Sequence, residues 1–407
     1  MTERLAVTTW LLAIGLFPAG RLSEVPMLAA ALAGIWLLYR GRIDVRSWQV
    51  RAAGVVFAGY WLPELLSAFD SVAPAKSWSE VALDLRYLPM LAFWSARIQS
   101  EAARRLTLTG ASAVALLWLI DGLLQATTGW SLGGPVDADR LSGLFGADDL
   151  KLGPALAVLA PFVLAWQRGM AVPLRALTAA ALMAIILLAG TRSAWITLLV
   201  GVGALAWQWW GARRAAMAML LCAGVMTALG AGAWMTSASF ASRMDRTLVG
   251  LGGDRAALDF ALAGRLPIWD TALSMAGAHP MNGVGVRAFR YAYADYAEPG
   301  DPWIGFQSEG GAGHAHQVVL ELLSETGVLG LACWIAALVW VLRTRPPRGS
   351  PQDPAAAALI AMLFPLNTHY AFYSSAWGGF MLCLLALWLS QRPRQRIETA
   401  GPVRDVA

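Results

Sequence analysis

The residues of this sequence that could do chemistry are a few histidines and arginines beside long apolar runs. His314 and His316 lie in "GAGHAHQVVLELLSETGVLG", from Gly311 to Gly330, where a polar segment meets an apolar one. Histidine titrates near neutral pH and often acts as a general base, so His316 is a candidate base. A structural histidine at the start of a helix is the alternative interpretation.

A metal site is not expected around these histidines. His314 and His316 are two residues apart and would share a face in an extended segment but not in a helix. A zinc site needs further ligands at a recognisable spacing, and only Glu309 lies nearby in the sequence. Glu321 and Glu325 follow at i, i+4 in the apolar run, where they could satisfy polar groups or face a polar cavity.

Two arginines are candidate site residues because of their positions. Arg192 lies in "LLAGTRSAWITLL", a tight turn between two apolar runs, and Arg265 opens "RLPIWDTALSMAG". Pro267 fits the first turn of a helix there. Ionisable groups beside membrane spans are site candidates by default. The alternatives are a snorkelling arginine at 192 and a solvated loop arginine at 265.

Composition indicates the elements that must position these groups. Hydrophobic residues make up 57% of the 407 residues and charged residues only 14%. Soluble domains carry about 25% charged residues, so the sequence predicts an all-α integral membrane protein. Its mean hydropathy is +0.54. The three cysteines lie within apolar runs and are predicted to be small buried hydrophobic residues.

The apolar runs predict twelve membrane spans, since a bilayer core needs about 20 mostly apolar residues per helix. The spans are predicted at 5–19, 25–39, 52–69, 81–96, 106–127, 152–167, 174–190, 193–210, 215–235, 316–342, 354–370 and 375–389. The first run lacks a clear cleavage site and is therefore predicted to be a span and not a removed signal.

The distribution of basic residues predicts the orientation. With the N-terminus in the cytoplasm, most of the 31 lysines and arginines fall in inner segments, as the positive-inside rule requires. Both termini are then cytoplasmic. The predicted organisation is helices 1–9 in residues 1–235, a periplasmic loop with short helices in 236–315, helices 10–12 in 316–391, and a cytoplasmic tail in 392–407.

Five segments, in order, resemble a known family. They are His316 with Gln317, Leu320 and Gly327; "RLSGLFGADDL" from Arg140; "AGTRSAW" around Arg192; "GRLPIWDTALSMAGAHPMNGVGVRAF"; and "FPLNTHYAFYSSAWGG" around His369. Together they resemble the O-antigen ligase and polymerase superfamily of bacterial membrane glycosyltransferases. Two departures are Gln317, where that family favours asparagine, serine or threonine, and His279, where it favours asparagine.

The resemblance implies an inverting, metal-independent glycosyltransferase without a cofactor, in the inner membrane of a Gram-negative bacterium. The donor would be O-antigen on undecaprenyl pyrophosphate, and the acceptor lipid A–core at the periplasmic face; membrane lipids, but no nucleic acid, are further partners. His316 would be the general base, and Arg192 and Arg265 would stabilise the leaving group. The residues that would contact substrate are Arg140, Arg287, Arg290, Gln317 and His369.

Other functions remain open. Within the same superfamily the protein could be an O-antigen polymerase or a protein O-oligosaccharyltransferase. From a different class, twelve spans with intramembrane charges could form a secondary anion transporter. Transporters usually carry paired halves with broken helices near the midplane, and the sequence contains no such repeat.

Overall fold

The chain folds almost entirely into helices. A computed structural model describes residues 2–135, 139–147, 149–305, 310–344, 353–365 and 370–390. Within these ranges there are seventeen α-helices, short 3₁₀ segments and no β-strand. The helices are α1 (Thr2–Gly15), α2 (Glu24–Tyr39), α3 (Trp48–Ala68), α4 (Pro74–Asp84), α5 (Tyr87–Arg97), α6 (Glu101–Thr128), α7 (Leu152–Trp166), α8 (Val172–Leu188), α9 (Arg192–Trp210), α10 (Ala212–Thr236), α11 (Ala238–Val249), α12 (Arg255–Ala261), α13 (Arg265–Ala278), α14 (Phe289–Tyr296), α15 (Val318–Thr344), α16 (Pro354–Met362) and α17 (Trp377–Leu389).

The helices are those of a multi-pass membrane protein. In the described part of the chain, four segments are long and apolar enough to cross a bilayer: Phe17–Tyr39, Glu101–Thr128, Ala212–Thr236 and Val318–Thr344. Two shorter helices, Val172–Leu188 and Trp377–Leu389, are also strongly apolar. The all-α class is confirmed, while the count of twelve spans stays a prediction.

Two predicted spans are not single long helices. The predicted span 81–96 is divided between α4 and α5, and Arg86 lies at the break. Pro89 stands in the first turn of α5, where its missing N–H is tolerated. Because proline is disfavoured inside a helix, a new helix begins at Tyr87 and α4 does not continue. In the described part of the predicted span 354–370, the helix is the nine-residue α16, which ends three residues before Pro365.

The buried residues form two hydrophobic cores. The larger one joins the long helices, with α15 packed against α3 and α2 against α5. The smaller one lies in the predicted periplasmic loop region around α13 and α14, and includes the fully buried Ile268, Phe289 and Ala315. This second core fixes the segment just before His316.

A kink in α15 is the place where the loop after α13 contacts the membrane helices. Gly327 has φ 67° and ψ −168°, a conformation essentially restricted to glycine. The loop after α13 fills the gap: Val284 and Gly285 donate backbone N–H bonds to the carbonyls of Ser324 and Glu325, at 2.8 and 3.1 Å. In return, Val328 and Leu329 donate to the carbonyls of Pro280 and Met281, at 2.9 and 3.1 Å. The loop thereby satisfies the backbone groups that the kink leaves unpaired.

Candidate functional site

Four arginines from three segments line one pocket. Arg140, Arg192, Arg243 and Arg246 line it together with Gly190 and Thr247. Arg265, at the start of α13, adjoins them, since the charges of Arg192 and Arg140 both act on it. We call Arg140, Arg192, Arg243, Arg246 and Arg265 the arginine cluster.

Helix α6 positions Arg140. The side chain of Gln125 accepts the backbone N–H groups of Ser142 and Gly143, at 3.0 and 2.7 Å, and its amide donates to the Arg140 carbonyl at 3.4 Å. One turn earlier, Asp121 accepts from the Ser131 hydroxyl at 2.8 Å. These two polar residues of an apolar helix therefore hold the loop that carries Arg140.

A tight turn and a short helix position the next arginines. Arg192 donates to the Thr247 hydroxyl of α11 at 3.0 Å, and Arg243 donates to the Asp139 carbonyl. Gly190 lies beneath them, because a Cβ there would be 3.2 Å from the guanidinium carbon of Arg243. The "AGTRSAW" turn thus brings Arg192 against α11 and leaves room for the guanidinium of Arg243.

Arg265 is partly buried, and two other positively charged arginines of the cluster lie near it. Burial, followed by the charges of Arg192 and Arg140, lowers the pKa of Arg265 below its usual value. Burial and the charge of Arg140 likewise lower the pKa of Arg243. Guanidinium groups stay protonated in proteins, so the lowered pKa values reflect burial and, after it, repulsion from the neighbouring arginines, while the positive charges remain.

Acidic side chains compensate little of the charge of the arginine cluster; of the described carboxylates, that of Asp139 acts on Arg243. Among the described residues, no carboxylate lies within 4 Å of its guanidinium nitrogens. Lys151, which lies over the ring of Tyr370, is paired with Asp149. Converging guanidinium groups without counter-ions attract an anion with several oxygens, and planar guanidinium groups match phosphate geometry.

His316 has an unusual backbone conformation. Its φ is 55°, in the left-handed region that non-glycine residues rarely occupy. Its backbone N–H donates to Nδ1 of His314 at 3.0 Å, and the two imidazole rings lie 3.9 Å apart. Ala315 between them is fully buried in the smaller core. Backbone strain of this kind clusters at functional sites and persists only where the surroundings impose it.

Helix α13 links His316 to the arginine cluster. The indole N–H of Trp269 donates to the carbonyl of Ala315 at 3.2 Å. Trp269 lies one turn after Arg265, and residues at i and i+4 share a helix face about 6 Å apart. Asp259 caps the same helix by accepting the Leu266 N–H at 2.9 Å. Arg265 and the backbone of the histidine segment therefore adjoin the same face of α13.

The segment after α16 also touches both parts of the site. Gln317 donates to the Pro365 carbonyl at 2.5 Å, and its side-chain oxygen accepts the Leu320 N–H at 2.6 Å. This second bond is an N-cap of α15, which explains why short capping residues suit the position in the family that the sequence resembles. Tyr370, at the other end of the segment, is close enough to Arg265 for their charges to interact. His369 itself lies outside the described residues.

The other two predicted substrate-contact residues, Arg287 and Arg290, do not line the pocket of the arginine cluster. The backbone N–H of Arg287 donates to the Glu325 carboxylate at 2.7 Å. Burial lowers the pKa of Arg287, but Glu325 and Glu321 raise it, and the net pKa is above the usual value. Arg287 thus interacts with Glu321 and Glu325, two buried acidic residues of α15, through its charge and, for Glu325, through its backbone N–H. The sequence did not suggest this role. Arg290 lies against the backbone around Gly313, just before His314.

The structure therefore brings together Arg140, Arg192 and Arg265 and joins His316 to them through Trp269. Sequence reasoning missed Arg243 and Arg246 as members of the site. Their spacing was the available signal, since residues three apart share a helix face. Within the described ranges, no three histidine, cysteine or acidic side chains are placed to hold a metal ion.

Part of this chain is similar to a known protein family. Residues 177–335 match the family model described as "O-Antigen ligase". No curated protein matches this chain. The matched stretch runs from α8 into α15, whereas Arg140 and the segment after α16 lie outside it. Arg192, Arg243, Arg246, Arg265 and His316 all lie within this stretch, which is similar to the O-antigen ligase family.

Proposed function

We propose that this protein is an O-antigen ligase that moves a glycan from undecaprenyl pyrophosphate to a lipid A–core sugar at the periplasmic face. The observation that carries this proposal is the arginine cluster: five converging guanidinium groups with no carboxylate within 4 Å among the described residues. The backbone just before His316 adjoins the helix that begins at Arg265, through the bond from Trp269 to Ala315. A pyrophosphate linked to a lipid is an anion of the right chemistry for such a site. The match of this region to the O-antigen ligase family supports the same conclusion.

The leaving group would bind at the arginine cluster. When the bond between the anomeric carbon and the pyrophosphate oxygen breaks, negative charge develops on that oxygen. Guanidinium groups already held in place stabilise this charge without the reorganisation that water would require. Arg192 and Arg265 are partly buried, which strengthens their interaction with the pyrophosphate compared with exposed arginines.

His316 would accept the proton of the acceptor. The acceptor hydroxyl oxygen forms the new bond to the anomeric carbon as the pyrophosphate leaves from the opposite face. The hydroxyl proton passes to the imidazole of His316, and the pyrophosphate carries away the bonding electron pair. A single displacement inverts the anomeric configuration. General-base assistance of this kind contributes about 10²–10⁴-fold to the rate.

The direct test is transfer by purified protein supplied with a lipid-linked donor and lipid A–core. We expect His316→Ala to lower the rate by at least about 10²-fold. Arg192→Ala and Arg265→Ala should each lower it about 10–100-fold, as expected for lost hydrogen bonds to a charged group. His279→Asn is the control, because His279 bonds to Tyr296 at 2.7 Å, outside the arginine cluster. Normal transfer by His316→Ala would refute the assignment of the base.

Transfer should also survive a metal chelator, since the proposed charge stabilisation comes from arginine. Loss of activity on chelation, restored by one added divalent ion, would contradict the metal-free mechanism.

The surface glycans of a deletion strain separate a ligase from a polymerase. A ligase mutant should retain lipid-linked polymer while its lipid A–core stays unsubstituted. Core that carries single repeat units would instead identify a polymerase. Normal surface glycan, together with anion uptake by proteoliposomes, would identify a transporter.

A further inference from the structure

A long apolar groove lies between α7, α8, α9 and α10. It is formed by two overlapping pockets that share Leu164, Ala176, Ala179, Val202 and Ala218. We call this the inner groove, because its polar end lies at the turn between α9 and α10, on the predicted cytoplasmic side. Its deeper part reaches Met183 of α8 and Val225 of α10 and is lined by apolar side chains and Cys222.

The polar end of the inner groove carries unpaired positive charge. Arg175 lines the groove, and Arg213 and Arg214 line an adjoining pocket that shares Trp210 with it. Arg168 lies over the ring of Trp209, 4.9 Å from its centroid. Among the residues that the structure describes, no carboxylate comes within 4 Å of these four arginines.

Two buried polar atoms at the same end have no partner in the described chain. Gln167 is 3% exposed and lines the groove; its amide nitrogen donates to Thr178 at 2.9 Å, but its oxygen accepts no hydrogen bond. The indole N–H of Trp209, also on the groove wall, donates none. Buried polar groups are normally satisfied, so a bound molecule with both a donor and an acceptor fits this position.

The length of the inner groove matches one leaflet. Along α8, Val172 and Met183 are eleven residues apart, or about 17 Å at 1.5 Å per residue. Half of a bilayer core is about 15 Å thick. An acyl chain whose headgroup sits beside Arg175 would therefore end near the middle of the membrane.

We propose that the inner groove is a binding site for one anionic phospholipid of the leaflet that meets the α9–α10 turn. The phosphate lies among Arg175, Arg213 and Arg214 and accepts the Trp209 N–H. A headgroup hydroxyl, such as those of phosphatidylglycerol, donates to the Gln167 oxygen. One acyl chain follows α8 toward Met183.

This site is separate from the arginine cluster. Arg192 and Trp209 stand at opposite ends of α9, seventeen residues or about 26 Å apart. A lipid with its pyrophosphate at Arg192 cannot place the same headgroup beside Trp209. The inference therefore holds or fails independently of the proposed function.

Native mass spectrometry of the delipidated full-length protein tests the proposal with phosphatidylglycerol and with phosphatidylcholine of the same acyl chains. We expect the wild type to bind the first lipid on the order of tenfold more tightly, since each basic residue near a headgroup contributes measurably to anionic-lipid binding. Arg175→Gln with Arg213→Gln should remove this preference. Ala179→Phe, which fills the groove, should remove binding of both lipids at this site.

The matched control is Arg40→Gln. Arg40 lies over the ring of Trp36 at 5.8 Å, on the same predicted side, but does not line the groove, so binding should not change. Equal binding of both lipids by the wild type would overturn the proposal. Unchanged binding by Ala179→Phe would also overturn it, because the lipid would then lie on the ordinary protein surface.

Discussion

At the scale of single residues, the unexpected participant is His314. Its position two residues before His316 does not by itself indicate a role, yet its Nδ1 accepts the backbone N–H of His316 at 3.0 Å. That bond stabilises the left-handed conformation of His316, for which non-glycine residues otherwise need local support. His314 is therefore a positioning residue for the proposed base.

We expect His314→Ala to lower kcat about tenfold with little change in KM, because the base would be less well oriented. His314→Asn should recover most of the rate, since the amide oxygen of asparagine occupies nearly the position of Nδ1 and can accept the same N–H. Transfer kinetics of the two variants provide the measurement. If His314 were itself the base, the asparagine variant would be as inactive as the alanine variant.

A second residue-scale prediction concerns Arg243, which sequence reasoning did not include in the site. Arg243→Ala should lower kcat/KM for the lipid-linked donor about tenfold, because hydrogen bonds to charged groups contribute roughly 1.5–3 kcal/mol. The matched control is Arg255→Ala in the same loop region. Arg255 is exposed, pairs with Asp270 and does not line the pocket of the arginine cluster. Equal effects of the two substitutions would argue against a site role for Arg243.

At the scale of elements, the sequence predicted most long helices and the helix that begins at Arg265. Those predictions succeeded because apolar runs and helix-start signals are local properties. The interruptions at Pro89 and Pro365 were missed, since hydropathy alone gives proline little weight. The resemblance named three members of the arginine cluster, but their convergence could not be predicted, because loops held by Gln125, Thr247 and Gly190 bring distant segments together.

The kink in α15 shows why two sequence motifs occur together. A Cβ on Gly327 would lie 2.3 Å from the backbone carbonyl of Met281, and a Cβ on Gly283 would lie 2.3 Å from the backbone of Glu325. Each glycine makes room for the backbone of the other segment. The turn from Pro280 to Gly285 and the glycine at position 327 are therefore the two sides of one contact.

We expect Gly327→Ala to destabilise the protein by about 3 kcal/mol or more, since it adds backbone strain and breaks the hydrogen bonds of the docked loop. Thermal unfolding in detergent, with transfer activity measured in parallel, would detect both effects. Gly224→Ala in α10 is the control, because no atom outside its own helix backbone lies within 4 Å of the added Cβ. It should be neutral or slightly stabilising. A stable, fully active Gly327→Ala protein would contradict the account of the kink.

At the scale of the whole molecule, a buried arginine of the loop region interacts with two buried acidic residues of a membrane helix. Arg287 comes from the loop, whereas Glu321 and Glu325 come from α15 and are fully buried. The charge of Arg287 acts on both acids, each of which has one side-chain oxygen without a hydrogen bond among the described residues. Removing that charge leaves the buried acids less compensated, at a cost of roughly 1–3 kcal/mol. We therefore expect Arg287→Met to lower the unfolding temperature markedly. Arg255→Met in the same loop region should change it much less, because Arg255 is exposed and its pair with Asp270 lies at the surface. A purely substrate-binding Arg287 would alter KM and leave stability unchanged.

The two ends of α9 provide the last test, because the proposed chemistry requires them to face opposite sides of the membrane. The arginine cluster adjoins the first residue of α9, and Arg214 follows its last turn. In cells with an opened outer membrane, Arg255→Cys should react with a thiol reagent that cannot cross the inner membrane. Arg214→Cys should react only after permeabilisation. The background is a protein whose native cysteines are replaced by alanine, since Cys333 is only partly buried. Labelling of Arg214→Cys in intact inner membranes would reverse the orientation and place the arginine cluster in the cytoplasm, where a periplasmic ligase could not use it.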